Sequence, residues 1–479
     1  MPDKNNTTLY VDLDGTLINS DLLLESFLHL IGKNVFYLLL IPAWLLKGKA
    51  NLKHQIAERV DLKIDLLPYN KEFLAYLAAK KNEGRHLVLI SASNKKYVKQ
   101  VASYVGLFDS SIGSSENENL KGDRKLDKIR ELSGQENFEY AGNEQADMAI
   151  WRQAKGAVVV NASKKLETEA AKLTDLVATI SRKKDRVGFF IKALRPHQWA
   201  KNLLLFLPLI LSHQLINIEL LMIAFAGFVS FSFCASSVYL LNDLLDLEHD
   251  RQHKTKRLRP FAAGELPVFV GLIACPILLL LAFIIAIPLP LEFSLIVGGY
   301  LVMTLLYSFR LKAIAIVDVL VLAGLYTLRI IAGAAAISVI PSFWLLAFSM
   351  FLFMSLAIVK RFTELNNLRN TDLTEAAGRG YQAGDLDLLA MLGSASGFTS
   401  VLVFALYIND EETLLLYGTP EILWFICPLL LFIICRLWLL AHRGELHEDP
   451  VVFAITDHSS QLVTLVCGVL VWAATQTWF

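Results

Sequence analysis

The chain has 479 residues, of which 54% are hydrophobic, and its formal net charge is zero. This length favours two or three domains, and the balanced charge gives no indication of a nucleic-acid partner. Residues 1 to about 186 have the composition of a soluble α/β protein, whereas the remainder is typical of a membrane protein. The five cysteines all lie in the apolar part without metal-type spacing, which favours a packing role for them.

The first predicted element is an apolar strand over residues 9–11 that runs directly into Asp12 and Asp14, followed by Gly15 and Thr16. Two carboxylates separated by one residue at the end of a strand suit phosphoryl transfer. One of them can attack phosphorus while the other carries a proton. The N-terminal region is therefore predicted to be a phosphoryl-transfer domain.

Three further motifs follow in chain order. A strand over residues 86–90 ends at Ser91. Lys125 comes next, with Lys121 as a less favoured substitute, and residues 138–147 then contain Asn143 and Asp147. The set resembles the haloacid dehalogenase phosphatase superfamily, whose fourth motif is normally G-D-x-x-x-D. Asn143 replaces the first acid of that motif, which lowers the charge available to a metal.

The resemblance implies a doubly wound parallel sheet over residues 1–180, with a cap at about 18–80 and the site at the carboxyl ends of the strands. It implies that Asp12 is the nucleophile, Asp14 the general acid and base, Ser91 a hydroxyl donor to the phosphate, and Lys125 a charge-balancing cation. It also implies one Mg²⁺, with the following candidate ligands: Asp12, the Asp14 carbonyl, Asn143 and Asp147.

The cap contains an unusually apolar stretch at residues 34–46, followed by Lys47 and Lys49. It is too short and too interrupted by proline for a membrane span. It is either an interfacial helix that contacts the membrane or part of a packed cap core, and we favour membrane contact. Residues 181–192 are predicted to be a basic linker, which suits either anionic headgroups or a solvated hinge.

Nine apolar runs follow, each near the ~20 residues that cross a hydrocarbon core. The lysines and arginines gather in alternate loops, all on the side of the N-terminal domain. The sequence thus predicts a multi-pass protein of the inner (plasma) membrane, with both active sites cytoplasmic and the C-terminus outside. The predicted spans are 203–217, 219–241, 268–288, 292–309, 314–337, 342–359, 389–408, 420–440 and 459–478.

The second span ends at Asn242, and Asp243, Asp246 and Asp250 follow with spacings of three and four. A helix would place these acids on one face, where they repel each other unless a cation lies between them. Mg²⁺ that also binds a substrate diphosphate would satisfy them. Basic residues just downstream could bind the remaining phosphate charge: Lys256, Arg257 and Arg259.

This arrangement resembles the UbiA-type intramembrane prenyltransferase superfamily over roughly residues 187–479. The stretches 194–202 and 256–260, and Lys360-Arg361 with Glu364, resemble its decaprenyl-phosphate phosphoribosyltransferase branch. The resemblance implies an all-α membrane domain over residues 193–479 in which Asp243, Asp246 and Asp250 hold a second Mg²⁺. It also implies phosphoribosyl pyrophosphate as donor and a polyprenyl phosphate as nucleophile.

The same resemblance implies a set of substrate-binding residues. Four basic members could bind either the lipid phosphate or the sugar 5-phosphate, and the sequence does not divide them: Arg195, Lys201, Lys312 and Lys360. Each of these four could equally be a topology determinant. The other members are Asn242, Lys256, Arg257, Arg259, Tyr307 and Asp318.

Two alternatives remain open. An aromatic-substrate prenyltransferase would use a prenyl diphosphate donor, but the second acidic motif, D-x-x-x-D, is incomplete because Leu322 lies four residues after Asp318. A transporter or lipid-binding protein with a regulatory soluble domain would place its polar site deeper in the membrane. Arg329 is deep enough for this, and a functional role and a buried structural pair are equally expected for it.

The fusion of the two domains suggests consecutive reactions. The transferase product would be a lipid-linked 5-phosphoribose, and a phosphatase facing the same surface could remove its 5-phosphate. Tethering would raise the local concentration of enzyme and intermediate. The sequence leaves open the length of the polyprenyl chain and whether the protein forms a homo-oligomer.

Overall fold

The computed structural model describes residues 7–134, 137–181, 185–369, 380–446 and 449–476. Internal contacts divide the chain into two units. The first unit combines Met1–Leu194 with Tyr239–Cys275, and the second combines Arg195–Val238 with Pro276–Phe479. The stretch around the acidic motif therefore belongs with the N-terminal residues. Residues 182–184 of the predicted linker lie outside the described residues.

The first unit is built on a six-stranded parallel sheet with the order β3-β2-β1-β4-β5-β6. Strand β1 lies in the middle, where Leu9 is in register with Leu87 on one side and Glu139 on the other. The chain order reverses at this point, which confirms the predicted doubly wound α/β fold. The strands are β1 (Thr8–Val11), β2 (Leu87–Asn94), β3 (Ser110–Ser114), β4 (Phe138–Gly142), β5 (Gly156–Val160) and β6 (Asp175–Ile180).

Nine helices accompany these strands along the chain. They are α1 (Leu22–Lys33), α2 (Ile41–Leu46), α3 (Lys49–Arg59), α4 (Lys71–Asn82), α5 (Lys95–Val105), α6 (Asp123–Ser133), α7 (Met148–Trp151), α8 (Lys164–Ala171) and α9 (Arg186–Leu194). Short 3₁₀ helices lie at Val35–Leu39, Ile64–Leu66 and Gln145–Asp147.

Alternating strand residues form a separate core on each face of the sheet. Leu9 and Val11 pack with Phe73 of α4 on one face. Tyr10 packs with Trp151 of α7 on the other.

Leu22 of α1 and Ala57 of α3 belong to the same core as Phe73, so the insert that comprises α1 to α3 packs on this face of the sheet. Leu30 of α1 and Ile56 of α3 form a second, smaller core within the insert.

The remainder of the chain is helical. Its α-helices are α10 (Leu207–Leu211), α11 (Ile218–Leu245), α12 (Leu247–Gln252), α13 (Val268–Ala286), α14 (Leu291–Phe309), α15 (Val317–Ala336), α16 (Phe343–Arg369), α17 (Leu386–Ile408), α18 (Glu411–Leu416), α19 (Ile426–Arg443), α20 (Pro450–Thr456) and α21 (His458–Ala474). Further 3₁₀ helices lie at Pro196–Phe206, Lys256–Leu258, Leu311–Ala313, Ala383–Asp385 and Pro420–Phe425.

Seven helices in the described part of the chain are long and apolar enough to cross a membrane, so this is an integral membrane protein. They are α11, α13, α14, α15, α16, α17 and α19, the last two together with their preceding 3₁₀ turns. The prediction of nine spans is not confirmed. The first predicted span begins inside the 3₁₀ helix Pro196–Phe206 and continues into α10, which has Pro208 in its first turn and only 5 residues. The last corresponds to α21, which has 17.

The acidic motif lies where α11 gives way to α12. Leu245 ends one helix and Leu247 begins the next. Helical bonding nevertheless continues through the junction, because the Asp246 amide donates to the Asn242 carbonyl at 2.9 Å and the Asp250 amide to the Asp246 carbonyl at 2.8 Å. The backbone therefore stays near-helical from Asn242 to Asp250, and Arg259 contacts both Asp243 and Asp250.

Within the first unit, the inserted helices are fixed to α12. Both terminal nitrogens of Arg251 donate to the Glu25 carboxylate of α1, at 2.8 and 2.6 Å, and both side chains are buried. Lys63 Nζ pairs with Glu248 at 3.0 Å. Gly264 has a φ of +67° and lies against Pro68, where a Cβ would collide. The stretch after the acidic motif is thus held by the insert that follows Asp14.

We predict that Arg251→Ala loosens this attachment, because it leaves the buried Glu25 carboxylate unpaired. Breaking a buried ion pair costs about 3–5 kcal/mol. Hydrogen exchange of the α1 and α12 amides should become faster, whereas Gln252→Ala, which removes an exposed neighbour on α12, should leave it unchanged. Equal protection of these amides in both variants would contradict a role for the ion pair.

Candidate active sites

The first site lies at the carboxyl edge of the sheet, around Asp12. The Nζ of Lys125, from α6, donates to Asp12 Oδ1 at 2.8 Å and to the Tyr140 hydroxyl at 3.0 Å. Burial acts to lower the pKa of Lys125, but the carboxylates of Asp12 and Asp147 outweigh it and raise the pKa. Lys125 therefore stays charged and holds Asp12 in one orientation.

Asp14 is held from two directions. Its Oδ1 accepts the amide hydrogen of Leu22, the first residue of α1, at 2.9 Å. Its Oδ2 accepts from the hydroxyls of Ser93 at 2.6 Å and Ser91 at 3.2 Å. Burial, followed by the nearby Asp21 carboxylate, raises the pKa of Asp14 to about 7. A carboxyl group with this pKa can both donate and accept a proton near neutrality, which suits the predicted acid–base role.

Asn143 approaches the same loop from the end of β4. Its Oδ1 accepts from the Thr16 hydroxyl at 3.1 Å. Gly15 has a φ of +74°, and a Cβ there would collide with the Asn143 amide. Glycine at this position therefore lets the two loops meet, as expected at the edge between neighbouring parallel strands.

Asp147 supports the loop of Asn143. Its Oδ1 accepts from the Tyr140 hydroxyl at 2.9 Å, and its Oδ2 accepts the amides of Asn143 and Glu144, each at 2.9 Å. Burial, followed by the Asp12 charge, raises the pKa of Asp147 to about 6. Because both of its carboxylate oxygens accept these hydrogen bonds, Asp147 holds the Asn143 loop in position.

The oxygen-rich edge suits Mg²⁺, which prefers carboxylate and carbonyl ligands. Within the described ranges, no three His, Cys, Asp or Glu side chains are grouped closely enough to hold a metal ion. Asp12 would therefore need the Asn143 amide oxygen and backbone carbonyls to complete a set of ligands. The residue types and their placement fit this requirement.

Two residues at this site were not predicted from the sequence. Strand β2 continues past Ser91 to Asn94, which brings Ser93 to Asp14. Lys53, from α3, donates to the Ala92 carbonyl at 2.6 Å and to Asn119 Oδ1 at 3.0 Å. Burial lowers the pKa of Lys53, while the Asp14 and Asp21 charges oppose that change. No sequence signal separates Lys53 from the other lysines around α3.

The second group of acids lies at the end of α11, also within the first unit. Asp243 and Asp250 are buried, and Arg259 Nη1 donates to both, at 3.1 and 2.6 Å. Arg259, which is predicted to bind phosphate, thus supplies the positive charge between the two acids where the sequence predicts a metal ion. Asn242, Asp246 and Lys256 are half-buried nearby in the chain, and Arg257 is exposed.

In the second unit, two predicted anion-binding lysines share one carboxylate. The Nζ atoms of Lys201 and Lys360 each lie 2.8 Å from Asp449 Oδ2. Burial acts to raise the pKa of Asp449, but Lys360 and Lys201 outweigh it and hold the pKa well below its ordinary value. Asp449 therefore brings together two cations that are far apart in the sequence.

Asp318 and Tyr307 belong to a buried network. Arg361 donates to both Asp318 oxygens, to the Tyr307 hydroxyl at 2.8 Å and to Glu364 at 2.6 Å. The Tyr307 hydroxyl also donates to Asp318 at 2.7 Å. Both Asp318 and Arg361 are buried. This network joins α14, α15 and α16, so it favours a positioning role for Asp318.

The environment of Arg329 favours one of the two roles that the sequence left open for it, the buried structural pair. Its Nε donates to Asn202 Oδ1 at 2.9 Å, and it also donates to the Leu325 carbonyl and the Tyr300 hydroxyl. The guanidinium lies 5.4 Å from the centre of the Phe231 ring. These contacts make Arg329 a buried structural group.

The two remaining predicted anion ligands lie at or within 3₁₀ helices. Arg195 has a φ of 54° and precedes Pro196–Phe206, and Lys312 is half-buried within Leu311–Ala313.

The UbiA prenyltransferase family model matches residues 203–476, more than half of the chain. The chain belongs to the UbiA prenyltransferase family. The model of haloacid dehalogenase-like hydrolases matches residues 9–152. This family member therefore combines a hydrolase domain with a membrane-embedded transferase domain in a single enzyme.

Named relatives cover different parts of this UbiA family member. An uncharacterized protein, y4nM, from Sinorhizobium fredii is 38% identical over 97% of this chain and 90% of its own length. Nodulation protein NoeC from Azorhizobium caulinodans is 34% identical over 58% of this chain and 89% of its own length. Decaprenyl-phosphate phosphoribosyltransferase from Mycobacterium tuberculosis is 32% identical over 60% of this chain and 93% of its own length.

We predict that Lys53→Met weakens binding of a phosphate monoester to the hydrolase site, because it removes a cation beside the Asp14 loop. Loss of a hydrogen bond to a charged group should raise KM about tenfold or more, with a smaller effect on kcat. Hydrolysis of p-nitrophenyl phosphate by the full chain would measure this. Lys99→Met, at an exposed position of α5, serves as the matched control, and an equal KM in both variants would exclude Lys53 from the site.

Proposed function

We propose that the enzyme transfers 5-phosphoribose from phosphoribosyl pyrophosphate to a polyprenyl phosphate and then removes the 5-phosphate from the lipid-linked product. The observation that carries the proposal is the Asp243–Arg259–Asp250 cluster at the end of a membrane helix, in the same unit as the Asp12 site. Similarity to a decaprenyl-phosphate phosphoribosyltransferase supports this donor and acceptor.

In the transfer step, Asp243, Asp250 and Asp246 would hold Mg²⁺. When bound, the ion would neutralise charge on the departing pyrophosphate. Arg259 has to release the two carboxylates for this to happen, and the freed guanidinium can then bind a phosphate oxygen of the donor. Lys256 and Arg257 would add positive charge on the same 3₁₀ turn.

The acceptor phosphate is ionised at neutral pH, so its oxygen can attack C1 of the ribose without a strong general base. A carbon–oxygen bond to the acceptor forms at C1 as the bond to pyrophosphate breaks. We assign Lys201 and Lys360, held by Asp449, to an anionic group of the substrates. The isoprenoid tail would lie in a groove between apolar helices that is open to the bilayer.

In the hydrolytic step, Asp12 would attack the 5-phosphate and form an aspartyl-phosphate, while Asp14 protonates the departing ribose oxygen. Asp14 would then take a proton from the water that hydrolyses the intermediate. Lys125 and Ser91 would bind the phosphate, and Asn143 would supply a neutral oxygen ligand for Mg²⁺. We place both sites on the cytoplasmic side of the plasma membrane because the Lys/Arg-rich loops share that side.

The incomplete acidic pair argues against aromatic prenylation. Asp318 has no acid four residues later, and its carboxylate is engaged with Arg361 and Tyr307. The buried surroundings of Arg329 remove the observation that favoured a transporter.

The two steps should be separable by substitution. Asp12→Asn should leave pyrophosphate release intact and reduce phosphate release on the order of 10²-fold or more, because the nucleophile is lost. Asp243→Asn should reduce pyrophosphate release to a similar extent and leave hydrolysis of p-nitrophenyl phosphate intact. Both products would be measured with purified protein, phosphoribosyl pyrophosphate and polyprenyl phosphate. If the unaltered protein releases no pyrophosphate, the proposed transfer is wrong.

Arg259→Gln should strengthen metal binding and weaken binding of the sugar donor. Removing the guanidinium from Asp243 and Asp250 should tighten Mn²⁺ binding several-fold, because the competing cation is gone, and should raise the KM for phosphoribosyl pyrophosphate. Electron paramagnetic resonance of the substrate-free protein would measure Mn²⁺ binding. Lys254→Gln, an exposed neighbour, serves as the control. Weaker Mn²⁺ binding in Arg259→Gln would contradict the proposed exchange of cations.

A further inference from the structure

An exposed apolar surface of the first unit lies on its inserted helices. Residues 35–46 fold as the 3₁₀ helix Val35–Leu39 and the helix α2. Phe36 is 71% exposed, Leu39 76% and Leu46 89%. We call the exposed apolar side chains of this segment the cap patch: Val35, Phe36, Leu38, Leu39, Leu40, Leu45 and Leu46.

The segment is folded and anchored on its inner side. Tyr37 and Trp44 pack against a small core that includes Leu30 and Ile56, and their rings lie 6.3 Å apart. The guanidinium of Arg59 lies 4.9 Å from the Trp44 ring. Because these two aromatic residues fix the inner side, the cap patch is a defined outward surface. A contiguous apolar surface of this kind marks an interaction site.

We propose that the cap patch lies in the interface of the bilayer that holds the protein's own transmembrane helices. Its flanks carry Lys33, Lys47 and Lys49, all exposed, and residues 31–49 contain no acidic residue. An apolar segment bordered by lysines matches the boundary between acyl chains and anionic headgroups. Its 12 residues are too few to span the hydrocarbon core, which needs about 20.

The first unit also contains parts of two helices that can cross a membrane. It includes the C-terminal end of α11 and the beginning of α13, both long enough to cross a membrane. The Glu25–Arg251 ion pair fixes α1 to α12, which begins two residues after α11 ends. The same α1 leads through Asn34 directly into the cap patch segment. The patch is thus joined by a folded helix to the end of a membrane span.

Contact between the cap patch and the bilayer would let the hydrolase domain reach a membrane-bound substrate, a consequence that rests on the proposed function. A groove of about 510 Å³ beside the patch is lined by Lys47, Lys49 and Arg124, together with Glu116. Arg124 precedes Lys125, the partner of Asp12, in α6. A lipid-linked phosphate ester could therefore approach Asp12 past basic residues while its tail stays in the bilayer.

Site-specific photocrosslinking of the full chain tests the proposal. The photoreactive amino acid p-benzoylphenylalanine would replace Phe36, Leu39 or, as a control, Leu132, an exposed apolar residue of α6. The protein would be reconstituted in vesicles of phosphatidylcholine and radiolabelled phosphatidylglycerol. We expect several-fold more lipid adduct at positions 36 and 39 than at 132, and less adduct there after Lys47→Gln and Lys49→Gln are added.

Equal adduct yields at all three positions would overturn the proposal, and so would a crosslinked dimer in place of a lipid adduct, since the occupant would then be a second copy. A second measurement uses Phe36→Ser with Leu39→Ser. Hydrolysis of the lipid-linked phosphate should slow, while hydrolysis of p-nitrophenyl phosphate stays unchanged. If lipid adducts form but the unaltered protein hydrolyses no lipid-linked phosphate, the proposed function fails while the membrane contact stands.

Discussion

Buried carboxylates impose the main constraint on this protein, because an ionised carboxylate removed from water must be paired with a cation. The chain meets this requirement repeatedly with its own basic side chains, each brought from a different element. These ion pairs then determine how the elements pack and where the reactive groups lie. The pairs are Asp12 with Lys125, Glu25 with Arg251, Asp243 and Asp250 with Arg259, Asp318 with Arg361, and Asp449 with Lys201 and Lys360.

The exposure of the cation separates structural pairs from reactive ones. Arg361 is enclosed on all sides, so removing it from Asp318 would leave a buried charge. The Arg259 side chain is 27% exposed, although its partners Asp243 and Asp250 are buried. Water and a soluble ligand can reach such a cation, which is the basis for the proposed exchange of Arg259 for a metal ion. The same argument assigns a binding role to Lys360 more readily than to Arg361, its neighbour in the chain.

The sequence could place Asp12, Ser91 and Asn143 near one another because each lies at or near the end of a strand of a parallel sheet, whereas their chemical roles stay predictions. Such strands deliver their carboxyl ends to one edge, so Asp12, Ser91 and Asn143 had to converge. Lys53 and Asp449 could not be found in this way, since each reaches its partners only through tertiary packing. Hydropathy predicted the seven long helices, whereas the nine predicted spans are not confirmed among the described residues. An apolar run interrupted by Pro208 looks like a span in composition, although it folds as short helical turns.

Helix α1 connects the Asp14 site, helix α12 and the cap patch segment, each through a different part of the helix. Its first amide binds Asp14, the proposed proton carrier of the hydrolase. One turn later, Glu25 holds Arg251 beside the acidic motif, and its last residue leads into the cap patch segment. A displacement of α1 would therefore disturb the hydrogen bonding of Asp14, the attachment of α12 and the position of the patch at once. The helix thus links the chemistry of the hydrolase to the membrane surface from which its substrate would come.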